Sequence, residues 1–244
     1  MAKEEIEIKT SEGTAKAGLF MPEAGASRAG VILYMDAFGL RPALDVMAQR
    51  ICREGYTVLV PDLFYRFGQY GPYDARTAFQ NEASAKEIRH IIAETTQEMT
   101  QRDTGAFLAA LDQGGASGPI ATVGYCMGGA RALNAAAAYP GRILAAASFH
   151  GGNLASDTSD SPHLKAASIK ARVYVGMAGV DRSFPPEQST RFADAFRAAE
   201  VDFAMENYVG MQHGWAVPDH SVFDEAGAER HWRRLLCLLS ETLR

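Results

Sequence analysis

Branched apolar runs alternate with stretches of helical periodicity through most of this chain, and that alternation limits its fold more than any other feature. "AGVILYMDA" (29–37) reads as a buried strand, and "RPALDVMAQRICREG" (41–55) follows with Leu44, Met47, Ala48 and Ile51 at helical spacing and a stop at Gly55. "YTVLVPDL" (56–63) is strand-like again. The pattern returns in "PIATVGY", "RILAAASFHGG", "RVYVGMAG" and "DFAMENYVG", each followed or preceded by a helical stretch, the last helix running through Arg244. Strands and helices in this order build a mostly parallel sheet covered by helices on both faces.

Two features modify that plan. "EIEIKT" and "AKAGLFMP" flank the short turn "SEGT", which predicts an antiparallel N-terminal hairpin at one sheet edge. Between about 64 and 113 the alternation lapses: "FYRFGQYGPYDARTAF" is aromatic and irregular, and residues 81–113 read as one long helix or two consecutive ones. This insertion either shapes a binding cleft or is a plain surface connection. The length of 244 residues fits one α/β domain over 1–244.

A net charge of −5, with 24 scattered basic residues, argues against a nucleic-acid groove. "MAKEEIEIKT" lacks the apolar core of a signal peptide, and no run of about 18 apolar residues occurs, so the expectation is a cytoplasmic protein without a membrane partner. Three widely spaced cysteines fit neither a disulfide framework nor a zinc site. Cys52 and Cys237 fall at apolar positions of predicted helices, where a thiol behaves as a small hydrophobe. No histidine or cysteine spacing matches a metal motif, and nothing points to a cofactor.

Cys126 stands apart. "VGYCMGGA" (123–130) places it between a predicted strand and a predicted helix, with Gly124 and Gly128 two residues to either side. That is the setting of a nucleophile elbow, GxCxGG in place of GxSxG, where the glycines let strand and helix backbones pass closely. The helix N-terminus presents free N–H groups and the positive end of a dipole, an environment that favours the reactive thiolate form. A packing loop around an inert thiol is the competing reading, and it leaves the strand-turn-helix context unexplained.

A nucleophile on this fold is followed in the chain by an acid and then by a histidine, each on a loop after a strand. Asp181 in "VYVGMAGVDRSFPP" and His213 in "ENYVGMQHGW" meet both conditions. His90, His163 and His231 are expected on helix surfaces or in a polar loop. His150 ends a strand in "SFHGG", either lining the cleft or bonding a loop carbonyl, and His220 lies farther from a strand end than His213. Asp219 and Asp224 come after the histidine, against the order. The oxyanion hole takes the N–H of Met127 and a second N–H from "YMDAFGLRP", with Ala37 the first candidate and Phe38 the alternative. Asp36 ends a buried strand and either faces the same cleft or serves as a turn or capping residue.

"VILYMDAFGL", "GYTVLVPDLFYR", "VGYCMGGA", "GVDRSFPP" and "QHGW", in this order, resemble the dienelactone hydrolase family of α/β-hydrolases from about Gly30 to the C-terminal helix. The resemblance implies hydrolysis of an enol-lactone, with Cys126 as nucleophile, Asp181 as acid and His213 as base. It also implies that Asp36, with Phe38 and Trp215, binds substrate or modulates the thiol. Two positions depart from the pattern. The family has Glu where this chain has Asp36, a residue that contacts the resting thiol, and an Arg that holds a substrate carboxylate where this chain has Val217. Arg66, Arg76 and Arg182 are the cations available to replace it.

The expected function is therefore a carboxylic ester or lactone hydrolase that forms a thioester on Cys126, acting on a small molecule as a monomer or homodimer. The second reading is a binding or redox-sensing protein on the same fold, with Cys126 as the responsive thiol. A phosphate loop is excluded, since "GYCMGG" lacks GxGxxG and GK[ST].

Overall fold

The structure, a computed structural model, describes residues 2–23 and 29–243. The last residue of the predicted terminal helix, Arg244, lies outside them. Eight strands form one sheet: β1 (Ala2–Thr10), β2 (Gly13–Met21), β3 (Gly30–Tyr34), β4 (Thr57–Pro61), β5 (Ile120–Tyr125), β6 (Ile143–Phe149), β7 (Arg172–Val180) and β8 (Phe203–Gln212). Six α-helices accompany them: α1 (Pro42–Arg53), α2 (Glu82–Glu94), α3 (Gln97–Gln113), α4 (Met127–Ala138), α5 (Pro186–Ala198) and α6 (Glu225–Thr242). The spatial order is β1-β2-β4-β3-β5-β6-β7-β8.

β1 and β2 pair antiparallel from Ala2 opposite Met21 to Thr10 opposite Gly13, and β2 pairs antiparallel with β4. All remaining pairings are parallel. β3, β4 and β5 are buried at every residue, which their unbroken apolar sequences require of strands covered on both sides.

The order of strands decides where a site can form. From β3 the chain crosses through α1 to β4 on one side, and from β5 it crosses through α4 to β6 on the other. Because such crossovers are right-handed, α1 and α4 cover opposite faces. α6 joins α1 through a bidentate Arg50–Glu229 pair at 2.5 and 2.7 Å. The carboxyl ends of β3 and β5, paired up to Tyr34 opposite Gly124, thus diverge at a topological switch point.

The insertion resolves into two helices. Thr95 Oγ1 donates back to the Ile91 carbonyl at 2.8 Å, and Thr96 caps α3 by accepting the N–H of Met99 at 3.2 Å. Two expectations about α6 are corrected. Its buried stripe runs through Ala228, His231, Trp232, Leu235 and Leu239, so His231 is enclosed rather than on the surface. His231 bonds Tyr125 Oη at 2.8 Å and the Ala228 carbonyl at 2.7 Å. Cys237 lies off that stripe and is exposed, with Sγ donating to Glu241, whereas Cys52 is buried as expected.

Candidate active site

Cys126 is the single residue between β5 and α4, at φ 54° and ψ −121°. A positive φ is uncommon for a side chain with a Cβ and is held here by the packing around it. A Cβ on Gly124 would sit 1.9 Å from the Gly128 carbonyl oxygen, and one on Gly128 would sit 2.5 Å from that of Tyr34. Both glycines are therefore required by close backbone approach. The N–H of Cys126 donates to the Phe149 carbonyl at 3.2 Å and to His150 Nδ1 at 3.1 Å. The thiol is half-buried and packs against the apolar cluster of Ala37, Phe38, Ala78 and Ile88.

Asp181 follows β7 and His213 follows β8, so the parallel pairing of these strands brings them together. His213 Nδ1 lies 2.7 Å from Asp181 Oδ2. The other carboxylate oxygen accepts the Ser183 N–H at 2.8 Å and the Ser183 hydroxyl at 2.6 Å. An Nδ1–H engaged with a carboxylate leaves Nε2 for the sulfur. Burial pulls the His213 pKa down, but the charge of Cys126 and the hydrogen bonds with Asp181 and Cys126 outweigh it, and the pKa is pushed up to about 10. Burial raises the Asp181 pKa, yet His213 and Ser183 bring it below the ordinary carboxylate value. Ser183 was not anticipated; the D-x-S spacing of an Asx turn was its signal.

Met127 opens α4, where the first amides have no intrahelical acceptor. In the loop after β3, the Phe38 N–H is taken by Asp36 Oδ1 at 3.0 Å. The Phe38 N–H, the alternative candidate for second oxyanion donor, is thus already engaged.

Asp36 itself is placed differently from the thiol-contacting role. Its oxygens accept four hydrogen bonds: from the Phe38 N–H, from Arg41 Nη1 at 2.7 Å and Nη2 at 2.8 Å, and from His220 Nε2 at 3.0 Å. A carboxylate offers about four acceptor positions, so all are occupied. Arg41 and His220 overcome the burial of this carboxyl and hold its pKa well below the usual range. Arg41 also forks onto Asp219 at 2.6 and 2.9 Å and reaches the Gly39 carbonyl at 3.3 Å, which uses all five of its donors. No sequence motif marked Arg41; its only signal was its position five residues after Asp36.

The remaining candidates fall into place around this core. Trp215 is fully buried, 4.6 Å between ring centroids from Tyr208 and 5.1 Å from His150, so it supports the site from beneath and is not a substrate wall. Its large apolar ring finds more contact in the core than at the cleft. His150 is also buried; it accepts from the Cys126 backbone, and burial with the neighbouring His213 and His220 drives its pKa well below the ordinary value. Nδ1 accepts, so the proton of the neutral ring is on Nε2. Asp219 serves Arg41, and Asp224 caps α6 through the Gly227 N–H at 2.7 Å. Val217 is buried, Arg66 is paired with Glu12 and Asp103, and Arg76 and Arg182 are exposed. From the insertion, Ala78 and Ile88 belong to the apolar cluster that Cys126 packs against, and Tyr73 and Ile92 pack on it as well. Among the described residues no helix is long and apolar enough to cross a membrane, and no group of side chains is arranged to hold a metal.

Known proteins resemble this chain in sequence and architecture. A Salmonella typhi protein provisionally named carboxymethylenebutenolidase is 27% identical over 210 residues, covering 84% of this chain and 74% of that protein. A carboxymethylenebutenolidase homolog of Mus musculus is 27% identical over 187 residues, covering 76% and 69%. A crystal structure provisionally named dienelactone hydrolase, from Klebsiella pneumoniae, superposes with a TM-score of 0.84 over 98% of both chains at 20% identity, a likeness of fold. The profile of the dienelactone hydrolase family matches residues 16–243, nearly the whole of this chain, which therefore belongs to that family.

Proposed function

We propose that the chain hydrolyses carboxylic esters or lactones through an acyl-thioester on Cys126, with His213 as acid and base and Asp181 as the group that orients it. The observation that carries this reading is the imidazole of His213, bonded to Asp181 at 2.7 Å and lifted in pKa by Cys126. The names of the curated relatives, carboxymethylenebutenolidase and its homolog, support a lactone or ester as the substrate.

The sulfur of Cys126 attacks the acyl carbon, and the N–H groups of Met127 and Ala37 stabilise the oxyanion that forms. The C–O bond breaks as the His213 imidazolium gives its proton to the departing alkoxide. In the second half, His213 takes a proton from water while the hydroxide adds to the thioester. Collapse of that intermediate breaks the C–S bond and returns the sulfur and the acid product.

Asp36 stays out of these steps, because its acceptor positions are filled. The test is mass measurement of the intact protein mixed with a chromogenic ester, beside Cys126→Ala. A transient acyl adduct on the wild type, absent from the variant together with turnover, is the expected result. Rapid sulfenic acid formation with peroxide and no ester turnover would replace this reading by the redox-sensing one.

A further inference from the structure

The surface around the sulfur carries a statement about substrate charge. Cys126 packs against Ala37, Phe38, Ala78 and Ile88, and the half-buried members of the same cluster are Tyr73, Ala75 and Ile92. Phe79, 47% exposed, meets Phe38 edge-on at 5.4 Å between centroids and extends the apolar surface outward. The guanidinium against this wall is Arg41, 5.4 Å from the Phe38 ring centroid. It has no donor left, being forked onto Asp36 and Asp219 and bonded to Gly39. An anion approaching Arg41 meets two carboxylates already seated there.

Resting on the hydrolase reading, we propose that the acyl group transferred to Cys126 is uncharged and apolar, an aryl or alkyl acid, and that half-esters bearing a second carboxylate are poor substrates. An apolar acyl chain gains contact with the exposed Phe79 ring and with the half-buried Tyr73, Ala75 and Ile92. A carboxylate on that chain loses water and finds the Arg41 guanidinium already paired, and an unpaired charge on apolar surface is costly. Arg76, one residue from Ala75, and Arg182, next to Asp181, are the exposed cations through which an anionic preference would act.

The experiment compares para-nitrophenyl valerate with para-nitrophenyl hemiglutarate, acyl chains of matched length ending in methyl or carboxylate. The expected result is a kcat/KM for valerate higher by about 30-fold or more. Phe79→Arg, a change at an exposed position, is expected to narrow that ratio by about tenfold through a new carboxylate partner. A wild-type preference for hemiglutarate that Arg76→Ala or Arg182→Ala abolishes overturns the proposal, and so does equal turnover of the two esters. If wild type and Cys126→Ala alike turn over neither ester, the hydrolase reading falls and takes this proposal with it. Turnover with the wrong preference overturns the substrate class alone.

Discussion

Nδ1 of His150 accepts the backbone N–H of Cys126 at 3.1 Å, so a buried neutral imidazole braces the turn that carries the sulfur. His150→Ala removes that acceptor and leaves the strained turn to the Phe149 carbonyl alone. The expected loss in kcat/KM is about tenfold, the equivalent of one hydrogen bond of roughly 1.4 kcal/mol. His150→Asn, which can offer a carbonyl oxygen in its place, is expected to recover part of that loss. Steady-state kinetics on both variants, with circular dichroism to verify folding, decides the matter.

In the proposed mechanism, Asp181 and His213 set the alkaline limit of activity. With the His213 pKa near 10, the proton needed by the leaving alkoxide is present at neutral pH and is lost as pH rises through about 10. The carboxylate of Asp181 is one of the groups that raises this pKa, so Asp181→Asn moves the limit toward lower pH. It also permits the wrong tautomer, and the expected fall in kcat is about 10³- to 10⁴-fold. A pH profile of kcat/KM that keeps its alkaline limb in the variant would contradict the assignment.

Arg41 neutralises a carboxyl that is fully buried. Arg41→Met leaves the Asp36 charge without its bidentate partner, and the expected destabilisation is about 3–5 kcal/mol, read by urea unfolding. The sign with pH follows from the lowered Asp36 pKa. In the wild type, this carboxyl contributes stability that is present above the ordinary Asp pKa and lost as pH falls toward the folded value. Arg41→Met removes much of that dependence, so the two unfolding curves are expected to converge on acidification.

Gly124→Ala tests the elbow. A methyl group 1.9 Å from the Gly128 carbonyl oxygen forces strand and helix apart, and a loss of about 3 kcal/mol or more is expected. Thermal unfolding beside Gly141→Ala, a site with open space around it, separates the steric effect from loss of glycine as such.

The sheet order, the hairpin and the elbow were legible because each depends on local pattern: apolar runs, a short turn, two glycines around a cysteine. Asp181 and His213 were legible because chain order on parallel strands predicts which loops share an edge. Arg41 was not, since its role depends on Asp219 in a distant loop and no spacing rule links the two. His150 and Trp215 were misjudged or left open for a related reason. Their burial follows from aromatic packing among Tyr125, Tyr208 and His213, which arises only after β6, β7 and β8 are side by side. Cys237 shows the same limit in one helix, where an apolar neighbourhood in sequence conceals a position facing outward.

The fork of Arg41 has a bearing on how this enzyme can be redesigned. Residues 36–41 carry the proposed oxyanion donor and residues 213–220 the proposed base, and the Arg41 guanidinium bolts the two segments into one part. A graft that imports only the first segment from a relative would strand Asp219, and one that imports only the second would strand Arg41. Loop exchange between members of this family is therefore expected to succeed only when both segments travel as a matched pair.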